Sequence, residues 1–365
     1  MQLDPQSHGV YLHIPFCAKR CDYCAFATFT DRHHLMSTYL EAMRIDIRRT
    51  VAAGMPKATT VFVGGGTPTM VPPDELMTVL GEIPLEANAE VTVECNPDDI
   101  TLQMLRTYRE GGVNRISIGV QSTVPHVLAS LGRTHNPENV QRSVEAVREA
   151  GFTSFNLDII YGAAGETLDD WRKTVQDVIA LDPPHVSAYG LTVEANTPLA
   201  TQPERHPDDD DQADKYELVD DIFVQAGLVN YEISNWAHPG RECAHNYLYW
   251  LQGNYDGFGS AAHAHKNGRR WWNVRTPDRY IEMVNAGESP LSASETLDNE
   301  TRALEALQLL LRTKEGVPAN AFTADDIEFM KKLLEPRGDR VVLTRAGRLM
   351  ANEVSIRLRV PVMNR

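Results

Sequence analysis

The 365-residue chain has no apolar run near the ~20 residues that a membrane span requires. Its first residues show no basic segment followed by an apolar core, so a secretory leader is not expected. Basic charge is scarce: 35 Lys+Arg stand against 50 Asp+Glu, a formal net charge of −15. General nucleic-acid binding needs cationic surface to neutralise phosphates, and this balance argues against it. Cysteine is sparse as well, five in all, with three clustered near the start. That is no disulfide framework, and it suits a reducing compartment. A cytoplasmic globular protein, long enough for one large domain and an appendage, is the expectation.

The clustered cysteines are Cys17, Cys21 and Cys24, spaced C-x3-C-x2-C just after the short apolar run Val10-Tyr11-Leu12-His13-Ile14. Three thiolates can hold three irons of a four-iron, four-sulfur cube, since each iron takes one soft ligand, and the fourth iron stays open to a small molecule. A zinc site and unrelated buried thiols are the rival readings. Structural zinc sites complete four ligands from paired Cys or Cys/His spacings, and no second pair lies nearby.

Beyond the cysteines, helix-period and strand-period segments alternate. Helices are expected over 35–53, 73–81, 101–111, 138–151 and 168–181, and strands over 59–63, 90–94, 115–120, 155–160 and 185–191. At least six such units precede residue 235 or so, which implies parallel strands with right-handed crossovers. A full or partial β/α barrel fits better than a two-sided open sheet. In such barrels working residues sit at the C-terminal strand ends, where Cys17, Gly64–Gly66, Glu94 and Gln121 fall, with Asp158 late in its strand.

The acidic run Asp208–Asp211 reads as a solvated helix start, where carboxylates suit the helix dipole, rather than as a cation site. Between Asn235 and Asn273 lie four of the five tryptophans (Trp236, Trp250, Trp271, Trp272) and His238, His245, His263 and His265. From about Glu295 come helices over 299–311 and 324–334, a strand at Arg340–Leu343, and Gly347 in a following helix. This pattern is winged-helix-like. Residues 295–365 hold 12 Lys+Arg against 11 Asp+Glu, so a structural cap fits better than a DNA reader. The expected division is 1–235 barrel core, 236–294 aromatic and histidine-rich segment, and 295–365 C-terminal α+β module.

Tyr11-Leu12-His13-Ile14-Pro15-Phe16-Cys17 with Cys21 and Cys24 resembles the opening of radical S-adenosylmethionine (SAM) proteins. More narrowly, the chain is similar to oxygen-independent coproporphyrinogen III oxidase and its relatives, the HemW-type haem chaperones. The likeness runs through Gly64-Gly65-Gly66-Thr67-Pro68-Thr69, Glu94-Cys95-Asn96-Pro97, Gly119-Val120-Gln121-Ser122, Leu131-Gly132-Arg133 and Asp158-Ile159-Ile160-Tyr161-Gly162 into the tail. It implies a radical SAM (β/α) barrel, a [4Fe-4S] cluster on the three cysteines, and SAM whose cleavage by the reduced cluster yields a 5′-deoxyadenosyl radical. By the same resemblance Gly64, Gly65, Gly66 and Thr67 line the methionyl end of SAM, Glu94 holds its amine, and Arg133 offers a fork to its carboxylate. Gln121 and Asp158 bond the ribose hydroxyls, and Tyr11 lines the site beside the cluster. Cys95 reads as a small core residue.

Two marks separate carrier from enzyme within this group. The oxidase carries a further cysteine two residues past the third cluster ligand, and here that position is Phe26. The run His245-Asn246-Tyr247-Leu248-Tyr249-Trp250 matches the H-N-x-x-Y-W element of the haem chaperones. An imidazole can ligate haem iron and aromatic rings can cover a porphyrin face. The resemblance therefore implies a haem site at His245, Asn246, Tyr249 and Trp250, with Cys243, His263 and His265 as fallback ligands. The expected partners are haem and haem-accepting proteins such as respiratory haem proteins, with peripheral contact to membrane-bound acceptors and a homodimer left open. The rival functions are a SAM-dependent porphyrinogen oxidase and, against the acidic charge, a tRNA-modifying radical SAM enzyme.

Overall fold

A computed structural model describes residues 7–361. The chain opens with strand β1 (His8–Ile14) and the cysteine loop, then helix α1 (Met36–Ala52) and β2 (Ala58–Gly65). There follow α2 (Pro73–Leu80), β3 (Leu85–Cys95), α3 (Leu102–Glu110), β4 (Arg115–Gln121), α4 (Pro125–Ser130), α5 (Glu138–Glu149) and β5 (Phe155–Tyr161). The run closes with α6 (Leu168–Ala180) and β6 (His185–Gly190). Neighbouring strands from β1 to β6 pair parallel and in chain order, as right-handed crossovers over helices require.

The helix α7 (Asp209–Gln225) starts at Asp208, whose side chain accepts from the Asp211 N–H, so the acidic run is a capped helix start. Strands β7 (Val229–Glu232) and β8 (Asn235–Ala237) extend the sheet antiparallel beyond β6. The aromatic-rich segment then returns to the opposite edge. Helix α8 (Ala244–Trp250) leads into β9 (Asn254–Phe258), which pairs parallel with β1. Strands β10 (His263–Lys266) and β11 (Arg269–Asn273), helix α9 (Pro277–Asn285) and β12 (Leu291–Thr296) continue that edge antiparallel. One 12-stranded sheet results, its outer strands β12 and β7 unpaired with each other among the described residues. The barrel is therefore partial, and residues 236–294 belong to its sheet rather than standing beside it.

The alternation along the parallel strands explains where the core lies. Outward positions are Val10, Leu12 and Ile14, then Val61 and Val63, Val91 and Val93, Ile116 and Ile118, Leu157 and Ile159, and Val186 and Ala188. All are buried in one cluster beneath the surrounding helices. Inward positions are polar or aromatic: Tyr11 and His13, Glu94, Arg115 and Ser117, Asn156 and Asp158, Ser187 and Tyr189. A side-chain period of two puts each set on its own face. An ordinary eight-stranded barrel fills its interior with branched apolar side chains; here the apolar core is entirely outside the strands and the interior is hollow.

The C-terminal module has its own core around Leu311, Val317, Phe322, Leu334, Val341 and Val354. It comprises α10 (Asn299–Leu310), β13 (Val317–Pro318), α11 (Ala324–Phe329), β14 (Leu334–Arg337), β15 (Arg340–Leu343), α12 (Arg345–Leu349) and α13 (Ala351–Ser355). Its three strands pair antiparallel in the order β13-β15-β14. The helix expected to reach residue 334 ends at Phe329, because Leu334 begins the hairpin that lays Leu334–Arg337 against Arg340–Leu343. Asp220 of α7 ties the module to the barrel: it accepts from Arg345 at 2.6 Å, from Arg348 at 2.8 Å and from Trp236 Nε1 at 2.8 Å. No helix among the described residues is long and apolar enough to cross a membrane.

Candidate functional site

Two cavities of about 630 and 680 Å³ share the hollow interior, within the size range of small-molecule sites. The first lies at the mouth and is lined by Cys17, Cys21, Cys24, Gly65, Gly66, Thr67, Glu94, Gln121, Arg133 and Asp158. Sequence reasoning named all of these. The cysteine loop hangs from the end of β1 and is pinned by Cys17 N–H donating to the Phe29 carbonyl at 3.1 Å. Thr67 Oγ1 lies 3.6 Å from Cys17 Sγ, and Arg133 Nη1 3.7 Å from Cys21 Sγ. Burial pushes the Cys17 and Cys24 thiols up, and the neighbouring cluster thiols add to it.

Thiols gathered in a dry pocket resist becoming thiolates unless a cation joins them. Arg133 Nη2 donates to the Gly119 carbonyl at 2.9 Å, while its Nε is buried with no partner. That unused donor, the Cys21 contact and the three thiols fit a cluster with an anionic ligand beside it.

Glycine is required around Glu94 by crowding from the protein itself. A Cβ on Gly64 would stand 2.8 Å from Glu94 Oε2, and one on Gly66 would stand 2.6 Å from the Phe16 carbonyl. The Gly65 N–H donates to Glu94 Oε2 at 3.1 Å. Gly64 lies outside the cavity lining, and its absent side chain makes room for Glu94. Burial first, then the nearby charge of Asp158, push the Glu94 carboxyl up to about 8. Such a carboxyl has a place for an ammonium group and lacks one in the protein.

Gln121 ends β4 with φ 62, at a register shift that pairs Gly119 with Asp158 and Gln121 with Ile159. The bulge turns Gln121 into the cavity beside Asp158. Asp158 accepts from Ser117 Oγ and Asn156 Nδ2, each at 2.8 Å, and burial raises its carboxyl against those bonds.

The second cavity lies deeper, and α8 forms part of its wall. Its lining includes Tyr11, His13, Phe62, Arg115, Tyr189, His245, Asn246, Tyr249, Tyr255 and His263. Tyr11 faces this chamber rather than the cluster cavity, because β1 points it to the same side as His13, whose Nδ1 it meets at 3.0 Å. The first turn of α8 is held by Glu90, which accepts from the Ala244 and His245 N–H groups. His245 Nδ1 lies 2.9 Å from Thr60 Oγ1 and Nε2 lies 2.7 Å from Tyr249 Oη, with the ring stacked on Phe62. Burial, then the charge of Arg115, push the imidazole down to about 3, so it is neutral.

Not every expected haem contact meets here. Trp250 is the last residue of α8 and lies outside the lining. Cys243 is buried against Glu90 at 3.5 Å, outside the chamber. His265 lines the chamber but has both ring nitrogens engaged, with the Gly253 carbonyl and the Gly268 N–H. His263 is exposed, stacks on Trp272 and engages only Nδ1, with the Ala261 carbonyl. Phe26 is 63 % exposed and borders both cavities. The residues that sequence reasoning missed are the inward polar positions Arg115, Ser117, Asn156 and Ser187. Their signal was available: polar residues at every second place of otherwise apolar strands.

A partial β/α barrel with three cysteines and a glycine–acid–arginine cavity at its mouth defines a radical SAM protein, and a family model for the Radical SAM superfamily matches residues 11–178. Within that superfamily the chain belongs to the heme chaperone HemW family. The relative of that name from Mycobacterium tuberculosis H37Rv is 39% identical over 96% of this chain and 94% of its own length. Those from Bacillus subtilis and Escherichia coli K12 are 33% and 35% identical, covering 95% and 84% of this chain and 97% and 85% of theirs. Coproporphyrinogen III oxidase (HemN) from Escherichia coli superposes with a TM-score of 0.83 at 22% identity, over 96% of this chain and 89% of that one, and so shares the fold.

Proposed function

We propose that this protein binds haem in the deeper chamber and delivers it to acceptor proteins, with a [4Fe-4S] cluster on Cys17, Cys21 and Cys24 and SAM in the cavity at the mouth. When bound, cluster and SAM supply one-electron chemistry at a sulfonium centre. On this chain's side, Glu94 takes the ligand ammonium, Arg133 its carboxylate, and Gln121 and Asp158 its ribose hydroxyls.

The observation that carries the haem reading is the setting of His245. A neutral imidazole is what a metal needs as ligand, and burial keeps this one neutral. With Nδ1–H given to Thr60, Nε2 presents its lone pair to the chamber, covered by the Tyr249 hydroxyl. His245 would hold the haem iron through Nε2 once the Tyr249 side chain swings away from it, with Thr60 fixing the tautomer and ring plane. Tyr249, Tyr255, Phe62 and Tyr11 supply aromatic wall for a planar ring. The relatives' name as heme chaperones supports the same reading.

Haem titration of the purified protein should give a Soret shift that His245→Ala weakens; an unchanged spectrum in the variant removes His245 as ligand. An anaerobic assay of the reconstituted protein with coproporphyrinogen III should yield no protoporphyrinogen. Turnover there would replace the carrier reading by an oxidase.

A further inference from the structure

Arg115 is a buried cation of the deep chamber whose donors are unspent, whereas Arg275 in the same lining is exposed to solvent. It opens β4, whose inward face reads Arg115, Ser117, Gly119, Gln121 from the depth of the barrel to its mouth. Only 2% of the residue is exposed, yet its guanidinium has no hydrogen-bond or ion-pair partner among the described residues, and Nε is wholly buried. Guanidinium groups carry five donors, and a buried one normally spends them on a carboxylate. Burial works against its charge. Its pKa is nonetheless held above the ordinary value, with the Glu90 and Asp158 carboxyls nearby, and a guanidinium keeps its proton in proteins, so the cation is present. Asp158 is already bonded to Ser117 and Asn156, and Glu90 to the start of α8.

We infer that Arg115 is a ligand-binding residue: its fork takes a carboxylate of the molecule held in this chamber, which for a haem cargo means a propionate. The inference rests on the haem reading of the chamber. The cavity joins an aromatic wall, an imidazole and one buried, unpartnered guanidinium, the complement of a flat apolar ring with a central metal and acidic edge groups. A bidentate pair with the carboxylate would fill the donors that the protein leaves empty.

The test compares haem with haem dimethyl ester, whose carboxylates are uncharged, on the full-length, cluster-reconstituted protein. Binding is followed by the Soret band and by tryptophan quenching. The unmodified protein should bind haem at least about tenfold more tightly than the diester, the usual weight of a charge-assisted bond. Arg115→Gln should remove that preference and Arg115→Lys keep part of it, with the Soret position unchanged because His245 is intact. Equal affinity of the unmodified protein for the two ligands overturns the inference and leaves the haem site standing. A preference that survives in a folded Arg115→Gln also overturns it. If neither ligand gives a His245-dependent Soret band, the haem reading falls and the inference with it. Should Arg115→Gln fail to fold, the two-ligand comparison on the unmodified protein and on Arg115→Lys decides.

Discussion

Thr60 and His245, 185 residues apart in sequence, meet at 2.9 Å on the wall of the deep chamber. Thr60 sits on the inward face of β2 and His245 at the start of α8, so the contact exists only when the aromatic-rich segment has returned to the β1 edge of the sheet. Thr60→Val keeps the shape and removes the hydrogen bond. It should weaken haem affinity by about tenfold, the scale typical of partners behind a metal ligand, with a smaller Soret change than His245→Ala produces. Parallel titrations of the two variants check this.

The raised carboxyl of Glu94 predicts a pH dependence. Ordinary glutamates lose their proton near 4.5, and this one near 8. Between those values the folded protein holds a proton that the unfolded chain has lost, so this group's contribution to stability is full below about 4.5 and declines as pH rises through 8. Melting temperatures of ligand-free protein should fall less between pH 6 and 9 in Glu94→Gln than in the unmodified chain. Binding a cationic ammonium beside Glu94 at pH 7 should release close to one proton, measurable by calorimetry in buffers of different ionisation enthalpy.

Gly66→Ala should disturb the cysteine loop. The added methyl would press on the Phe16 and Ile14 carbonyls, immediately before Cys17. Backbone cannot yield as a side-chain tip does, so a cost of about 1–3 kcal/mol is expected. Denaturant melts should show it, together with reduced iron content after reconstitution.

Removing one thiol separates the two cavities. None of the three cysteines lines the chamber of His245. Cys24→Ser should therefore lose bound iron and sulfide by chemical analysis while the haem Soret titration persists. Loss of both would show that the sites depend on each other.

Asp220→Asn leaves Arg345 and Arg348 without their shared carboxylate. The expected loss is about 2–3 kcal/mol, since both bonds are charge-assisted and Asp220 is nearly fully buried. Limited proteolysis should cut earlier around residues 296–299, where the chain leaves β12 for the C-terminal module.

The barrel units and the cluster cavity were legible from local signals. Val61, Val63, Ile116, Ile118, Leu157 and Ile159 announce strands by β-branched alternation, and Cys17, Cys21 and Cys24 stand within eight residues. The chamber of His245 was half legible. Its histidine and tyrosine lie on one helix turn, but Thr60, Phe62 and Arg115 reach them only through long-range pairing. Strands β9 to β12 were not legible, because Asn254–Phe258 and His263–Asn273 carry glycines, charges and tryptophans in place of a buried apolar run. Cross-strand pairs and the free edge of β1 make them strands. Trp250, expected beside His245, lies outside the chamber lining, because motif adjacency carries no information about which side of a helix end faces a cavity.

The hollow interior has an evolutionary consequence. Cohesion between strands and helices comes from side chains that point away from the ligand space, whereas every residue named in either cavity points towards it. Substitutions at Phe26, Arg115 or Tyr249 can alter what is bound while the outer packing at Val61, Ile118 or Leu157 stays intact. Selection can therefore act on cargo and on folding through separate sets of alternating residues, and a change of chemistry inside this scaffold leaves its architecture in place.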